Sequence, residues 1–528
     1  MCITLTIQEI NISQEGKKLT PIWNKCVGAG RANEGLRANW LEQLQMVVSE
    51  CGFEYIRFHG LFHDDMFVYN EVNGAVAHNW QYVDELFDRL LDMGIRPFVE
   101  FGFTPKDLAS GEGTVFWWKG NVTPPSSYEA WTELIYQSVQ HWIQRYGIDE
   151  VLQWFFEVWN EPNLSPFWKG TRTQYYELYK CSVQAIKSIH PKLRVGGPAT
   201  SNFVPDDRFD GDREDLSKHQ TFTSPNIDDA EWRPVWVKDF LEYCSREQLP
   251  VDFVSCHPYP TDFALDGHGN GRNYSRSVEA TRRDLTLLKR IVQESAFPEA
   301  EIHLTEWSSS PSPRDHSHDH LPAAAYVVKA NLDAASLTDS LSYWTFTDVF
   351  EEKGAGASIF HGGFGMVNFQ GIVKPTFHAY RFLNRLGDIE IDRVEQGIVT
   401  RSSKDGRIAA LFYNYDHESV PTAPPVTNNR EEAEQVQQSG RPRSLQLQLS
   451  GLKPNSLFRV EAVDEEHGYA IPLWKGMGLP EPPNREQTQL LKAASQRTRQ
   501  SALSADENGV LHLNIELAPW SILLLKQV

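Results

Sequence analysis

Cysteine is scarce. The chain has six in 528 residues, Cys2, Cys26, Cys51, Cys181, Cys244 and Cys256, and no two stand in Cys-x-x-Cys spacing. That argues against a disulfide framework and a cysteine-based zinc motif, and free thiols are expected. Cationic charge is also short. Lys and Arg number 50 against 70 Asp and Glu, for a net charge of −20. Such a surface repels phosphate backbones and anionic membranes, so neither nucleic acid nor a membrane is expected as a partner. No apolar run approaches the roughly 20 residues of a membrane span. Met1 to Glu9 have neither the basic nor the apolar segment of a secretory signal, and a cytoplasmic protein is expected. Gly28-Ala29-Gly30 runs on into Arg31-Ala32-Asn33, so the Gly-x-Gly-x-x-Gly turn of a doubly wound nucleotide fold is missing. No cofactor is expected. Aromatics, by contrast, are plentiful: 16 Trp, 18 Tyr and 28 Phe within 41% hydrophobic residues. They supply an ample core and hint at a cleft of flat apolar faces that stack on sugar rings.

After an alternating N-terminal stretch, residues 3–12, a rhythm of short apolar runs and amphipathic helices begins. The runs start at Cys26, Tyr55, Arg96, Trp154, Leu193, Asp252, Glu301 and Ser340, and a last helical stretch near His378–Leu386 closes the series. Eight alternating units predict a (β/α)8 TIM barrel over residues 26–386. From about residue 387 the pattern changes to alternating strands, at Ile408–Tyr413, Leu445–Leu449, Phe458–Val463, Leu511–Ile515 and Ser521–Leu525. They predict an accessory antiparallel β-sandwich domain of residues 1–25 plus 387–528. The polar stretch 421–443 is expected to be a mobile insertion within it. A second polar insertion, Asp206–Ala230, follows the fifth strand and is expected as a solvated loop over the carboxyl face of the barrel.

Barrel order then selects two carboxylates. The buried-type run Trp154 to Trp159 ends in Asn160-Glu161-Pro162, where proline stops the strand. That leaves Glu161 at the carboxyl end of strand four, and Glu306 lies at the same end of strand seven. This rim carries the chemistry of α/β barrels. Two carboxylates facing one cavity are what glycoside hydrolysis needs, one to protonate the leaving oxygen and one to attack or stabilise an oxocarbenium-like centre.

These residues resemble the acid/base and nucleophile strands of the retaining glycoside hydrolases built on (β/α)8 barrels. Within that clan the chain is similar to glycoside hydrolase family 39, the β-xylosidase and α-L-iduronidase family, and most of all to its bacterial β-xylosidase branch. The resemblance is carried by Gly52–Leu61, Arg96–Gly102, Phe156–Asn163, Val195–Pro198, Val251–Ser255, Tyr343–Phe346 and Phe360–Gly365, in the expected order. It implies a two-step retaining mechanism with Glu161 as acid/base and Glu306 as nucleophile. It also implies sugar-binding roles for Asn160, His59, His257, Tyr259, Trp344, Glu351 and Glu352. Asn160 would bond the sugar 2-hydroxyl, Tyr259 the nucleophile, and Trp344 would floor the ring. Phe116 and Trp117 are expected to form an apolar wall.

The implied reaction is exo-acting release of β-linked D-xylose from short xylo-oligosaccharides or xylosides. Two alternatives stay open: a family 39 glycosidase acting on an arabinopyranoside, galactoside, glucoside or iduronide, and a non-catalytic carbohydrate-binding protein. The acidic pair Glu351-Glu352 argues against a uronate. His316-Ser317-His318-Asp319-His320 invites a metal reading, but its loop setting and spacing predict a solvated loop, and no metal is expected. The expected partner is a small glycoside, with a homo-oligomer possible.

Overall fold

The computed structural model describes residues 8–209, 217, 219–226, 230–265, 268 and 271–528. Eight parallel strands close into a barrel. In chain order they are β1 (Cys26–Arg31), β2 (Tyr55–His59), β3 (Arg96–Phe101), β4 (Phe155–Val158), β5 (Arg194–Ser201), β6 (Phe253–His257), β7 (Glu301–Trp307) and β8 (Ser340–Tyr343). A helix follows each strand and covers the outside. The helix Tyr128–Tyr146 shows why these segments are helical. Ser127 caps it by accepting from Ala130 N–H, Gly147 ends it at φ 83°, and Trp131, Leu134, Ile135, Val139 and Trp142 bury one face.

Every residue of β2 and β4 is buried, yet the side chains still alternate. Ile56, Phe58, Phe156 and Val158 join the large core between strands and helices. Tyr55 and Phe155 point inward and form an aromatic layer with Cys26, Phe98 and Phe253 at the amino end of the barrel. The Phe98 and Phe155 rings stack there at 4.7 Å. That layer plugs the barrel from below, so the next inward positions, Arg57, Glu100 and Glu157, lie above a dry aromatic floor.

Beyond the barrel lie a seven-stranded sheet and a three-stranded sheet. The N-terminal strand Gln8–Asn11 joins the smaller one, parallel to Arg443–Ser450; residues 1–7 of the expected N-terminal stretch lie outside the described residues. The central strands of the seven-stranded sheet are buried on both faces. Val399, Phe412 and Leu523 pack with Ile10, Leu447 and Leu511 of the smaller sheet, while Ile398, Leu411 and Leu524 belong to the barrel core.

The stretch 421–443, expected as a mobile insertion, has local structure of its own. It holds a helix, Arg430–Gln438, capped by Asn429, with Ala433 buried. Thr427 donates to Asp315 through both its N–H and its hydroxyl, at 3.0 Å each. Part of the stretch is thus tied to a loop of the barrel, which composition alone does not reveal. Of the insertion Asp206–Ala230, part lies outside the described residues; Asp206 is buried and accepts from Phe222 N–H at 3.1 Å. Among the described residues no helix is long and apolar enough to cross a membrane, and the five described cysteines are unpaired.

Candidate active site

Strand alternation carries charge into the barrel. Arg57 of β2 is fully buried and pairs with three carboxylates: Glu157 of β4 at 2.5 Å, Glu306 of β7 at 2.8 Å and Glu100 of β3 at 3.0 Å. Two positions further along β2, His59 Nδ1 lies 2.6 Å from Glu100. Burial opposes a charge on His59, but Glu100 and Glu306 outweigh it and lift its pKa to about 9. Two cations therefore stand among three carboxylates beneath the rim. A buried arginine survives only with such partners.

Glu161 sits just beyond β4 in a backbone that L-residues rarely adopt, at φ 47°, with Trp159 at φ 73°. The strained turn is held from both sides. Glu161 N–H donates to Ala199 O at 2.8 Å. Asn163 bonds Ser201 through both ends of its amide, at 2.9 and 3.0 Å. The turn aims the Glu161 carboxyl across the mouth toward Glu306, and only 6% and 5% of these two residues is exposed. Carboxyl oxygens of the two lie within 4.8 Å of each other, with His257 Nδ1 inside the same radius.

The two carboxyls have opposite surroundings. Burial raises Glu161 to about 7, opposed by a hydrogen bond from Ser201 and by His59 and Arg57. His257 Nδ1 also lies against it, at 2.9 Å. Glu306 instead receives two donors, Arg57 Nη1 at 2.8 Å and the Tyr259 hydroxyl at 3.1 Å. A buried carboxyl of raised pKa facing a second carboxyl held by two donors, at this separation, suits a two-step displacement at a carbon between them.

Around this pair the structure gathers several of the residues singled out in the sequence. Asn160 Oδ1 accepts from Arg57 at 2.8 Å, while its buried Nδ2 has no hydrogen-bond partner among the described residues. That leaves a buried donor uncommitted, one residue before Glu161. The buried Trp344 ring lies 4.9 Å from His59 and packs with Phe350 and Phe364. Phe116 stacks on His59 at 6.3 Å. Glu352 lies 3.7 Å from His59 Nε2, and burial, with Glu306 nearby, pushes its carboxyl well above the usual range against the pull of His59.

Two residues are placed apart. Trp117 is 57% exposed, with its ring over the Arg31 guanidinium at 5.7 Å. Glu351 is taken up by Arg31 and Arg37, at 3.0 and 2.6 Å. Sequence reading passed over Arg57, Glu100, Glu157 and Thr305. The signal was present: charged or hydroxyl residues at alternate positions in runs otherwise fit for burial, such as Glu157 within Phe155-Phe156-Glu157-Val158.

The histidine loop differs from the solvated segment expected. His316–Asp319 forms a short 3-10 helix in which Ser317, His318 and Asp319 are buried. His318 bonds Gly362 O at 3.2 Å, His320 bonds the Tyr469 hydroxyl at 2.7 Å, and the buried Lys374 bridges Asp319 and Asp348 at 2.6 and 2.7 Å. Several polar groups of a run that reads as solvated are held instead by loops distant in sequence. Among the described residues the one cluster with metal-like spacing is Glu161, His257 and Glu306. Arg57, 2.8 Å from Glu306, puts a fixed positive charge beside that cluster, and a cation there would meet direct repulsion.

Residues 6–512 match the family described as glycosyl hydrolases family 39. The chain is 37% identical to a β-xylosidase of Geobacillus stearothermophilus, over 98% of this chain and 95% of the relative. It is 36% identical to a β-xylosidase of Caldicellulosiruptor saccharolyticus, over 97% and 96% of the two chains. Among solved structures, a monomeric β-xylosidase from Caulobacter crescentus CB15 superposes with a TM-score of 0.83 at 32% identity, covering 98% of each chain.

Proposed function

The chain belongs to glycosyl hydrolases family 39, and on that premise we propose that it is a retaining, exo-acting β-D-xylosidase that works through Glu161 and Glu306. The observation that carries the reading is the pair of carboxyls on β4 and β7 with oxygens within 4.8 Å. That gap is too short for the intervening water of an inverting enzyme and fits direct attack. In the first step Glu306 attacks the anomeric carbon while Glu161 gives its proton to the leaving oxygen. The products are a glycosyl ester on Glu306 and a free alcohol or shorter sugar. In the second step Glu161, now a carboxylate, takes a proton from water as the water oxygen displaces Glu306. Two inversions restore the β configuration.

Arg57 and Tyr259 hold the nucleophile charged and oriented. Asn160 Nδ2 donates to the sugar 2-hydroxyl, a contact that strengthens in the transition state. His59, Trp344 and Glu352 meet the other face of the sugar, with Phe116 walling the pocket and Trp117 on the leaving-group side. The accessory sheets, drawn from residues 8–25 and 387–528, form a sandwich domain that braces the loop after β8, where Glu481 accepts from Ile359 N–H at 3.2 Å. The substrates are short xylo-oligosaccharides at the last stage of xylan degradation. The unpaired cysteines fit a reducing cytoplasm.

Cation pairing supports a neutral sugar over a uronate. Arg57 is committed to three carboxylates, His59 to Glu100, Arg31 to Asp65 and Glu351, and Arg37 to Glu351. None of these four cations is left for a sugar carboxylate.

A close approach supports the role of Trp344. A Cβ built on Gly28 would lie 2.4 Å from the Trp344 ring, so only glycine lets β1 pass beneath it. Gly28→Ala is expected to displace the ring and lower kcat/KM for an aryl xyloside about tenfold. Unchanged kinetics would remove Trp344 from the sugar surface.

The test of the overall reading is incubation with 2,4-dinitrophenyl 2-deoxy-2-fluoro-β-xyloside, followed by peptide mass spectrometry. A fluoroxylosyl group on the peptide holding Glu306 is expected. No label, or label from the glucose analogue alone, would overturn the xylosidase assignment.

A further inference from the structure

Behind Glu161 a chain of hydrogen bonds runs across the barrel through buried residues of β2, β4, β6 and β7. Arg57 Nε lies 2.5 Å from Glu157 Oε2. The Thr305 hydroxyl donates to Glu157 Oε1 at 2.8 Å, His257 Nε2 lies 3.0 Å from that same hydroxyl, and His257 Nδ1 lies 2.9 Å from Glu161 Oε1. We propose that Thr305 and Glu157 are positioning residues that fix the tautomer of His257 and thereby keep Glu161 in its proton-bearing form. The inference rests on the acid/base assignment of Glu161 made above.

The direction of the chain follows from counting protons. Glu157, paired with Arg57, is a carboxylate and accepts only. Thr305 has one hydroxyl proton and spends it on Glu157, so its oxygen is left to accept from His257 Nε2–H. A neutral imidazole carries one ring proton. With Nε2 protonated, Nδ1 presents a bare lone pair, and the 2.9 Å contact with Glu161 closes only when Glu161 supplies the hydrogen. The opposite direction would require a protonated Glu157 beside the permanent charge of Arg57.

Burial makes this ordering effective. Glu157, Thr305 and His257 have no exposed surface, so bulk water does not exchange partners with them. The charged and titratable groups facing His257 and Glu161 are Arg57 and His59 on β2, Glu100 on β3, Glu157 on β4, Glu306 on β7, Tyr259 after β6 and Glu352 in the loop after β8. Burial lowers His257 to about 4, although Glu306 and Glu157 pull the other way, so the ring is neutral near pH 7 and carries a single ring proton.

The chain acts in both steps. Once Glu161 has given its proton to the leaving oxygen, its carboxylate faces the His257 lone pair with no hydrogen between them. That repulsion strengthens Glu161 as the base that takes a proton from water, and the water oxygen then bonds to the anomeric carbon.

Thr305→Val removes the acceptor of Nε2–H. The ring proton then moves to Nδ1, where it bonds and stabilises ionised Glu161. The experiment is the pH profile of kcat/KM for wild type, Thr305→Val, Thr305→Ser and Glu161→Ala, with phenyl and 2,4-dinitrophenyl β-xylosides. In wild type the alkaline limb for the phenyl substrate is expected near pH 7. In Thr305→Val it is expected to fall by about one pH unit, a tenfold change in the acid equilibrium. At pH 7.5 the phenyl substrate should lose about tenfold more rate than the dinitrophenyl one, and Thr305→Ser should restore both.

An unmoved limb, an equal loss on both substrates, or failure of serine to rescue would overturn the relay. An alkaline limb that persists in Glu161→Ala would overturn the acid/base assignment together with the relay. One that disappears there but stays in place in Thr305→Val overturns the relay alone. Should Thr305→Val not fold, imidazole 15N spectra of the wild-type protein decide the matter, with the His257 signal identified through His257→Gln. The Nε2-protonated tautomer is expected, and the Nδ1-protonated form would overturn the proposal.

Discussion

Replacing Glu306 with alanine is expected to lower kcat on every xyloside by about 10⁵-fold, the scale seen when a covalent nucleophile is removed from an enzyme whose binding groups stay in place. The loss should not depend on the leaving group, because no acid can compensate for the absent attack. Added azide or formate, small enough for the space left by the carboxylate, should restore part of the rate and give an inverted α-xylosyl product, which NMR of the product reads directly. A β product would place the nucleophile elsewhere. The variant should also lose stability. Arg57 Nη1 and the Tyr259 hydroxyl both lose their acceptor, and an uncompensated buried charge costs about 3–5 kcal/mol. Arg57 keeps Glu100 and Glu157, so the measured fall should lie below that range. Thermal unfolding with and without formate would show how much of it the anion recovers.

The second large effect is expected at Glu161, and its signature is selectivity. Glu161→Ala should slow phenyl β-xyloside by about 10³- to 10⁴-fold, toward the upper end for a lost general acid. With 2,4-dinitrophenol, which leaves without a proton, glycosylation should be nearly unaffected. Azide should then accelerate turnover and give the β-xylosyl azide, since the ester on Glu306 is opened from the face that water uses. The pH dependence has a definite sign. Glu161 must be protonated to act as acid, and its pKa is raised by burial to about 7. Wild-type kcat/KM for poor leaving groups should be full below that pH, half at it, and fall tenfold per unit above. The alanine variant should lose this limb. Uniform slowing across leaving groups with the limb intact would remove Glu161 from the acid role.

Much of this architecture was legible in the linear chain because it is written in local patterns. Runs such as Tyr55–His59 and Arg96–Phe101 are too apolar for exposed strands and too short for buried helices, and their eightfold alternation with amphipathic segments leaves few topologies. Glu161 and Glu306 could be singled out because a strand's carboxyl end is a position in the sequence, marked for Glu161 by Pro162. The polar loops were harder. His316–His320 and 421–443 have the composition of solvated segments, and yet Asp315 joins them by accepting from Thr427. Burial of a polar loop depends on partners supplied from far along the chain, which no window of residues contains.

The sequence by itself determined the barrel, the family resemblance, and the two carboxylates, because each follows from residue order: periodicity sets the strands, and strand order sets which tips share a rim. Tertiary structure decided what each carboxyl experiences. Glu157, Glu161 and Glu306 are the same residue type, but one is locked to Arg57 and Thr305, one is buried against a neutral imidazole, and one is held by two donors. Protonation is set by electrostatic and hydrogen-bond contacts across three to four ångströms of space, and the groups making them come from β2, β4, β6 and β7, which only closure of the barrel brings together.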